Sequence, residues 1–148
     1  MTKPFVVIES PYAGDVARNT RYARACLLDS LKRGEAPFAG HLLYTQVLDD
    51  TVPEQRELGL QAHLALLERA TRVVVYGDLG LSAGMKAALG TVVCCPRESR
   101  PEVQYRRLWP AVTVPTETVG DAFLHNMWPT QRFLSNEELD RLLTEAGV

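Results

Sequence analysis

Short, continuous apolar runs alternate along this chain with longer stretches of helical periodicity. Phe5-Val6-Val7-Ile8 is rich in β-branched residues, which suits a strand buried on both faces, and it stops at Glu9-Ser10-Pro11. After the turn Pro11 to Asp15, the stretch Val16 to Lys32 places Tyr22, Ala23, Cys26, Leu27 and Leu31 at helical spacing, and Gly34 sits where a helix stops. Pro37-Phe38-Ala39 and His41-Leu42-Leu43-Tyr44 read as a second strand or extended segment, followed by a polar loop through Asp49 and Asp50. Thr51-x-x-Glu54 has the form of a capping box, with Pro53 tolerated in the first turn, and Leu58, Ala62, Leu66 and Leu67 carry a helix to about Ala70. Arg72 to Tyr76 supplies a third strand.

Strands alternating with helices predict an α/β fold, a Rossmann-like parallel sheet with helices on both faces and right-handed crossovers. Met85 to Cys95 reads either as one helix or as a short helix broken at Gly90 before a strand over Thr91 to Cys95; the expectation is one helix, ended by Pro96. Val103 to Leu108 suits a further strand, and a Pro-rich stretch runs from Trp109 to Pro115. The C-terminal part carries Trp128 and Pro129 and then an amphipathic helix opened by a second capping box, Ser135-x-x-Glu138, with Leu139, Leu142 and Leu143 as its apolar stripe. The expected organisation is an α/β core over residues 1–108 and an extension, 109–148, packed on the core or on a neighbouring subunit. That extension could also serve a partner through the region around Trp128.

A length of 148 residues with 46% hydrophobic content is enough for one domain with a real core. The net charge of −2, with both signs interspersed, lacks the basic footprint of a protein that grips nucleic acid through phosphates, so no duplex nucleic acid is expected as a partner. Cys26, Cys94 and Cys95 form neither a disulfide framework nor a zinc pattern, which fits a reducing cytoplasm. No charged leader precedes a long apolar stretch, and no run approaches the roughly 20 residues that cross a bilayer, so neither processing nor a membrane is expected. No metal site and no cofactor are expected either, since no His/Cys/Asp cluster has ligand spacing.

The segment Tyr76-Gly77-Asp78-Leu79-Gly80-Leu81-Ser82-Ala83-Gly84-Met85 carries the strongest chemical signal. An apolar strand empties there into a glycine-punctuated turn and a helix start, where unpartnered backbone N–H groups suit an anion and glycines allow close approach. Such turns also close ordinary strand-to-helix connections. In parallel sheets ligands bind beyond the carboxyl ends of the strands. That rule gathers Glu9, Ser10, Tyr12, Gly14, Asp15, Asn19, His41, Tyr44, Asp78 and Ser82, a set suited to a ring-bearing, phosphorylated ligand. Several have structural alternatives: Glu9 as a partner of Arg72 or Arg18, Asp15 as a helix N-cap, and Asn19 as a tie for the turn after the first strand. His63, in mid-helix beside apolar positions, reads as a partly buried structural histidine rather than a ligand.

Glu9-Ser10-Pro11-Tyr12-Ala13-Gly14-Asp15 with Asn19 four residues on, the acidic loop before the second long helix, and Ser82-Ala83-Gly84-Met85 together resemble the nucleoside 2-deoxyribosyltransferase-like superfamily, in particular its small members common in bacteria and their phages. The resemblance covers roughly residues 4–108. It implies a flavodoxin-type sheet and a small-molecule nucleotide as partner, with a carboxylate nucleophile cleaving or transferring the N-glycosidic bond. It also implies a phosphate cradle at Ser82 and Gly84 and a sugar and base wall from Ser10 to Gly14; beside what the resemblance implies, His41 is a candidate base contact, and Asp50 and Met85 are further candidate substrate-binding residues. One departure matters. The usual nucleophilic Glu, about two helical turns into the helix after the Ser-x-Gly turn, is replaced by Ala88. Glu9 then becomes the acting acid, with Asp78 or Asp50 as the second; the alternative is a non-catalytic binder of nucleotides or nucleotide signals, a sponge that has lost the nucleophile. A homo-oligomer is expected.

Overall fold

The computed structural model describes residues 2–109 and 135–148. Four strands, β1 (Phe5–Glu9), β2 (Ala36–Phe38), β3 (Arg72–Tyr76) and β4 (Glu102–Arg106), form one all-parallel sheet in the order β2-β1-β3-β4. That order is the flavodoxin-like one, and it makes β1 and β3 the central pair, with Val7 opposite Val73 and Glu9 opposite Val75. Five α-helices accompany it among the described residues: α1 (Val16–Lys32), α2 (Gly40–Leu43), α3 (Pro53–Leu67), α4 (Ala83–Cys94) and α5 (Asn136–Glu145), with a 3-10 turn at Tyr44–Gln46. The architecture is thus the expected α/β, Rossmann-like one.

Side chains on a strand alternate between faces, and here the alternation sorts the core in two. Val6, Ile8, Val74 and Tyr76 pack under α1 and α5, against Tyr22, Ala25, Cys26, Leu139 and Leu143. Val7 and Val73 pack under α3 and α4, against Leu67, Ala88 and Val92. Each such fully buried aliphatic side chain contributes about 1.5–3 kcal/mol. The period of two therefore turns Glu9, two residues beyond Val7, toward α3 and α4.

The helix ends account for most of the boundaries. Asp15 caps α1 by accepting from the Arg18 N–H, and Gly34, at φ +83°, takes the left-handed conformation just beyond its end. Ser135 and Glu138 form the expected capping box on α5. The stretch Ala83–Cys94 is one helix, unbroken at Gly90.

Three expectations need correction. His41 to Leu43 is helical, not extended: only Ala36–Phe38 pairs with β1, and the chain turns into α2 at Gly40. Thr51 does not cap α3; its hydroxyl and its amide both bind Asp49, and Val52 holds the cap position before Pro53. Leu58 is 60% exposed, because the first half of α3 overhangs the end of the sheet and only Leu64, Leu66 and Leu67 reach the core. Trp128, Pro129 and the segment from Pro110 to Pro115 lie outside the described residues. Among the described residues no helix is long and apolar enough to cross a membrane.

Candidate functional site

A cleft of about 250 Å³ opens at the carboxyl end of the sheet. Its wall comes from three places: the end of β1, the α2-to-α3 region, and the turn between β3 and α4. Of the residues marked by the sequence, Glu9, Ser10, Tyr12, His41, Asp50, Ser82, Gly84 and Met85 all line it. Residues as far apart in the chain as Glu9 and Met85 thus converge, as expected where neighbouring strands of a parallel sheet end on one edge.

Glu9 is 5% exposed, yet its partner is neither Arg72 nor Arg18. Arg72 serves Glu35 and Glu102, and Arg18 serves Asp15 and Asp140. Glu9 Oε1 instead lies 2.6 Å from His63 Nε2. Among the described residues its second oxygen, Oε2, has no protein partner and is not fully buried, so it is open to the cleft that Glu9 lines. Beside this pair, Ser10 Oγ and His41 Nε2 are joined at 2.8 Å. Burial, and secondarily the neighbouring His63, lowers the pKa of His41 to about 4, which keeps its ring neutral at physiological pH. Tyr12 meets the His41 ring edge-on at 6.4 Å.

The turn after β3 is shaped by Gly80, whose φ of +78° closes a hydrogen-bonded turn back to the Gly77 carbonyl. Ser82 is the N-cap of α4: its Oγ accepts from the Met85 N–H at 3.2 Å, while the Ser82 N–H donates to the Met85 Sδ at 3.4 Å. The amides of Ala83 and Gly84 are left over in the first turn, where an anion is favoured by about 0.3–1 kcal/mol. A Cβ built on Gly84 meets only Ser82 Oγ, at 3.9 Å. Glycine there relieves no internal clash; it leaves the backbone approachable from the cleft.

Four expected site residues stand elsewhere. Asp78 is 1% exposed and lies outside the cleft lining, with its carboxylate filled by the Tyr22 hydroxyl at 2.7 Å and by the amides of Leu108 and Trp109. It ties the end of β4 to α1 and has no oxygen left for chemistry. Asp15 is exposed and used as the N-cap. Asn19 donates to the carbonyls of Tyr12 and Ala13, so it holds the β1 turn. Gly14, at φ +96°, shapes that turn without lining the cleft.

The most consequential residue that sequence reasoning set aside is His63. Arg56, Gly59, Leu60 and His63, at i, i+3, i+4 and i+7, form the stripe of α3 that faces the cleft, joined by Tyr44, Leu48 and Gln55. That mixed stripe, carrying a glycine, was the available signal. Among the described residues Arg56 is the one Lys or Arg that lines the cleft, and Ala88 lines it as well. Among the described residues no group of three or more His, Cys, Asp or Glu side chains is placed to hold a metal ion.

Chemically, the cleft offers a carboxylate with one open oxygen, a neutral imidazole, aromatic rings, a guanidinium and two backbone amides. Residues 4–93 match the family described as Domain of unknown function (DUF7768), a span that contains every described residue lining the cleft. No curated protein matches the chain.

Proposed function

The chain belongs to the DUF7768 family, and from that premise we propose that its cleft binds a nucleoside 5′-monophosphate and cleaves or transfers the N-glycosidic bond, with Glu9 as the acting carboxylate. The observation that carries this reading is the order of groups across the sheet. β1 lies between β2 and β3, so Glu9 emerges between the ring-bearing wall that follows β2, His41 and Tyr44, and the amide-bearing turn that follows β3, Ser82 to Gly84. An N-glycosidic bond joins a flat ring to a sugar phosphate. A carboxylate flanked by a ring wall and an anion turn stands beside that bond.

In the hydrolytic form, departure of the base builds oxocarbenium character at the anomeric carbon, which the Glu9 carboxylate stabilises. Glu9 Oε2 takes a proton from water as the water oxygen bonds the anomeric carbon. The carbon–nitrogen bond breaks, its electron pair leaves on the base, and the base is protonated by Asp50 or solvent. In the transfer form Glu9 itself bonds the anomeric carbon and a second base displaces it. Tyr12, Tyr44 and Leu48 provide apolar surface for the base.

A second reading, a non-catalytic binder of nucleotides or nucleotide signals, is favoured by Ala88. At the position where the resemblance leads one to expect the nucleophile, a methyl group lines the cleft. Incubation with a panel of nucleoside monophosphates and dinucleotides separates the two. Base release that falls about 10²–10⁴-fold in Glu9→Gln supports the enzyme. A thermal shift with the nucleotide recovered intact supports the binder, and no shift with any nucleotide overturns both. The same reading puts the protein in the cytoplasm, with its cysteines free. Exposed Leu43, Val47 and Leu58 support a homo-oligomer, checked by sedimentation equilibrium.

A further inference from the structure

We infer that His63 is the positioning residue for Glu9, and that Gly40 provides the seat that holds His63 in place. The inference rests on the proposal that Glu9 is the acting carboxylate, and it adds a residue that the sequence reading set aside.

The crossover from β2 to β3 must pass over β1, which lies between them, and α3 makes that crossing. Since Glu9 shares a face with Val7, which packs under α3, the end of β1 and the cleft stripe of α3 are brought together. His63 Nε2 stands 2.6 Å from Glu9 Oε1, with both side chains largely buried. A carboxylate can only accept, so Nε2 carries the hydrogen. The opposite nitrogen, Nδ1, is buried and has no partner among the described residues. A lone pair is tolerated there better than an N–H with no acceptor, so the geometry assigns the Nε2–H form.

With Nδ1 unable to pass a proton on, His63 is no relay. Its hydrogen bond occupies Oε1, fixes the plane of the carboxylate and leaves Oε2 to the cleft. What fixes the imidazole in turn is the first residue of α2. A Cβ built on Gly40 would stand 2.6 Å from His63 Nδ1, closer than real atoms come, with Cγ of the same ring at 3.4 Å and the edge of Phe38 at 3.3 Å. Gly40 is not in the left-handed region, so alanine is acceptable to its backbone. Gly40→Ala therefore displaces the imidazole while leaving both Glu9 and His63 chemically intact.

The test uses the full chain and base release from nucleoside 5′-monophosphates. His63→Leu is expected to lower kcat about 10²-fold with KM within about twofold, because misplacing a reacting group by about 1 Å costs that much. His63→Gln, which keeps an N–H donor, is expected to recover most of the loss, and Gly40→Ala to reproduce it in part. Unchanged kcat in His63→Leu, a rise in KM alone, or no advantage of Gln over Leu overturns the assignment. If the wild-type chain binds nucleotides but releases no base, the catalytic reading has failed and the contact is judged by ¹⁵N spectroscopy of the wild-type imidazole. A protonated Nε2 with a bare Nδ1, lost in Gly40→Ala, upholds the seat; a protonated Nδ1 overturns it.

Discussion

Glu35 and Glu9 are nearly equally buried, at 4% and 5% exposure, and they are finished in opposite ways. Glu35, just before β2, has both oxygens filled. Arg106 reaches Oε1 at 2.6 Å and Oε2 at 2.7 Å, Arg72 adds 2.9 Å to Oε1, and the Ser30 hydroxyl adds 2.6 Å to Oε2. These groups, the Arg106 hydrogen bonds foremost, hold its pKa down to about 2. Among the described residues Glu9 has one side-chain partner, His63, whose far nitrogen is itself unsatisfied. Buried polar groups are ordinarily paired, so a saturated carboxylate is explained by the fold alone, whereas a half-paired one at a cleft is explained by what the cleft takes. Asp78 sides with Glu35, which is why it loses its place in the site.

The largest effect should come from breaking the saturated cluster. Glu35→Leu leaves the buried guanidinium of Arg106 without its carboxylate and Arg72 with Glu102 alone, and is expected to cost about 3–5 kcal/mol in urea unfolding. Glu9→Gln keeps a group that can accept from His63 and removes no paired cation, so its cost should stay below about 1 kcal/mol while base release is lost. A Glu9→Gln variant as unstable as Glu35→Leu would erase the distinction between the two carboxylates.

Acid should separate the same two regions by pH. His41, on the cleft side, has a folded pKa of about 4 against an ordinary value of 6.5. Between those values the unfolded chain binds a proton that the folded chain refuses, so stability falls as pH drops from 6.5 to about 4, by at most about 1.4 kcal/mol per pH unit. Glu35 has its folded pKa below the ordinary 4.5, so its contribution is complete above that pH and is lost as pH falls toward 2. Chemical unfolding across pH 2–7 should therefore show two windows, the upper one absent in His41→Gln and the lower one diminished in Glu35→Leu, where the lowered carboxyl of Asp29 still contributes. A single window in the wild type would break the assignment.

These contrasts also explain what could be read from the chain. The strands β1 and β3 and helix α1 are local statements: β-branched runs bounded by polar residues, and an apolar period closed by Gly34. The run His41 to Leu43 carries no such local statement. Extended by Tyr44 to the four residues His41 to Tyr44, it suits a buried strand as well as a helical turn, and only the short pairing of β2 with β1 decides. Glu9, Ser10, Ser82 and Gly84 were legible because the ends of parallel strands share an edge. Asp78 was misjudged because its saturation depends on Tyr22, 56 residues away, and on amides about 30 residues away. His63 was missed because its partner is set by a crossover, which no spacing within α3 records.

The smallest effect offers the finest comparison. Ser82 and Ser135 are both N-caps, each accepting from an amide three residues on, at 3.2 Å and 3.1 Å. Alanine at either should cost about 1 kcal/mol of stability, since the same orphan donor is exposed in both helices. Their surroundings differ. Ser82 caps a helix whose next two amides line the cleft, whereas Ser135 caps α5, away from it. Ser82→Ala should therefore weaken nucleotide binding several-fold in addition to its stability cost, as the first turn of α4 frays and the anion-facing amides lose their alignment. Ser135→Ala should leave affinity unchanged at equal loss of stability. Isothermal titration of both variants with one nucleoside monophosphate measures the difference, and equal affinities would mean that the capped turn is only a helix start.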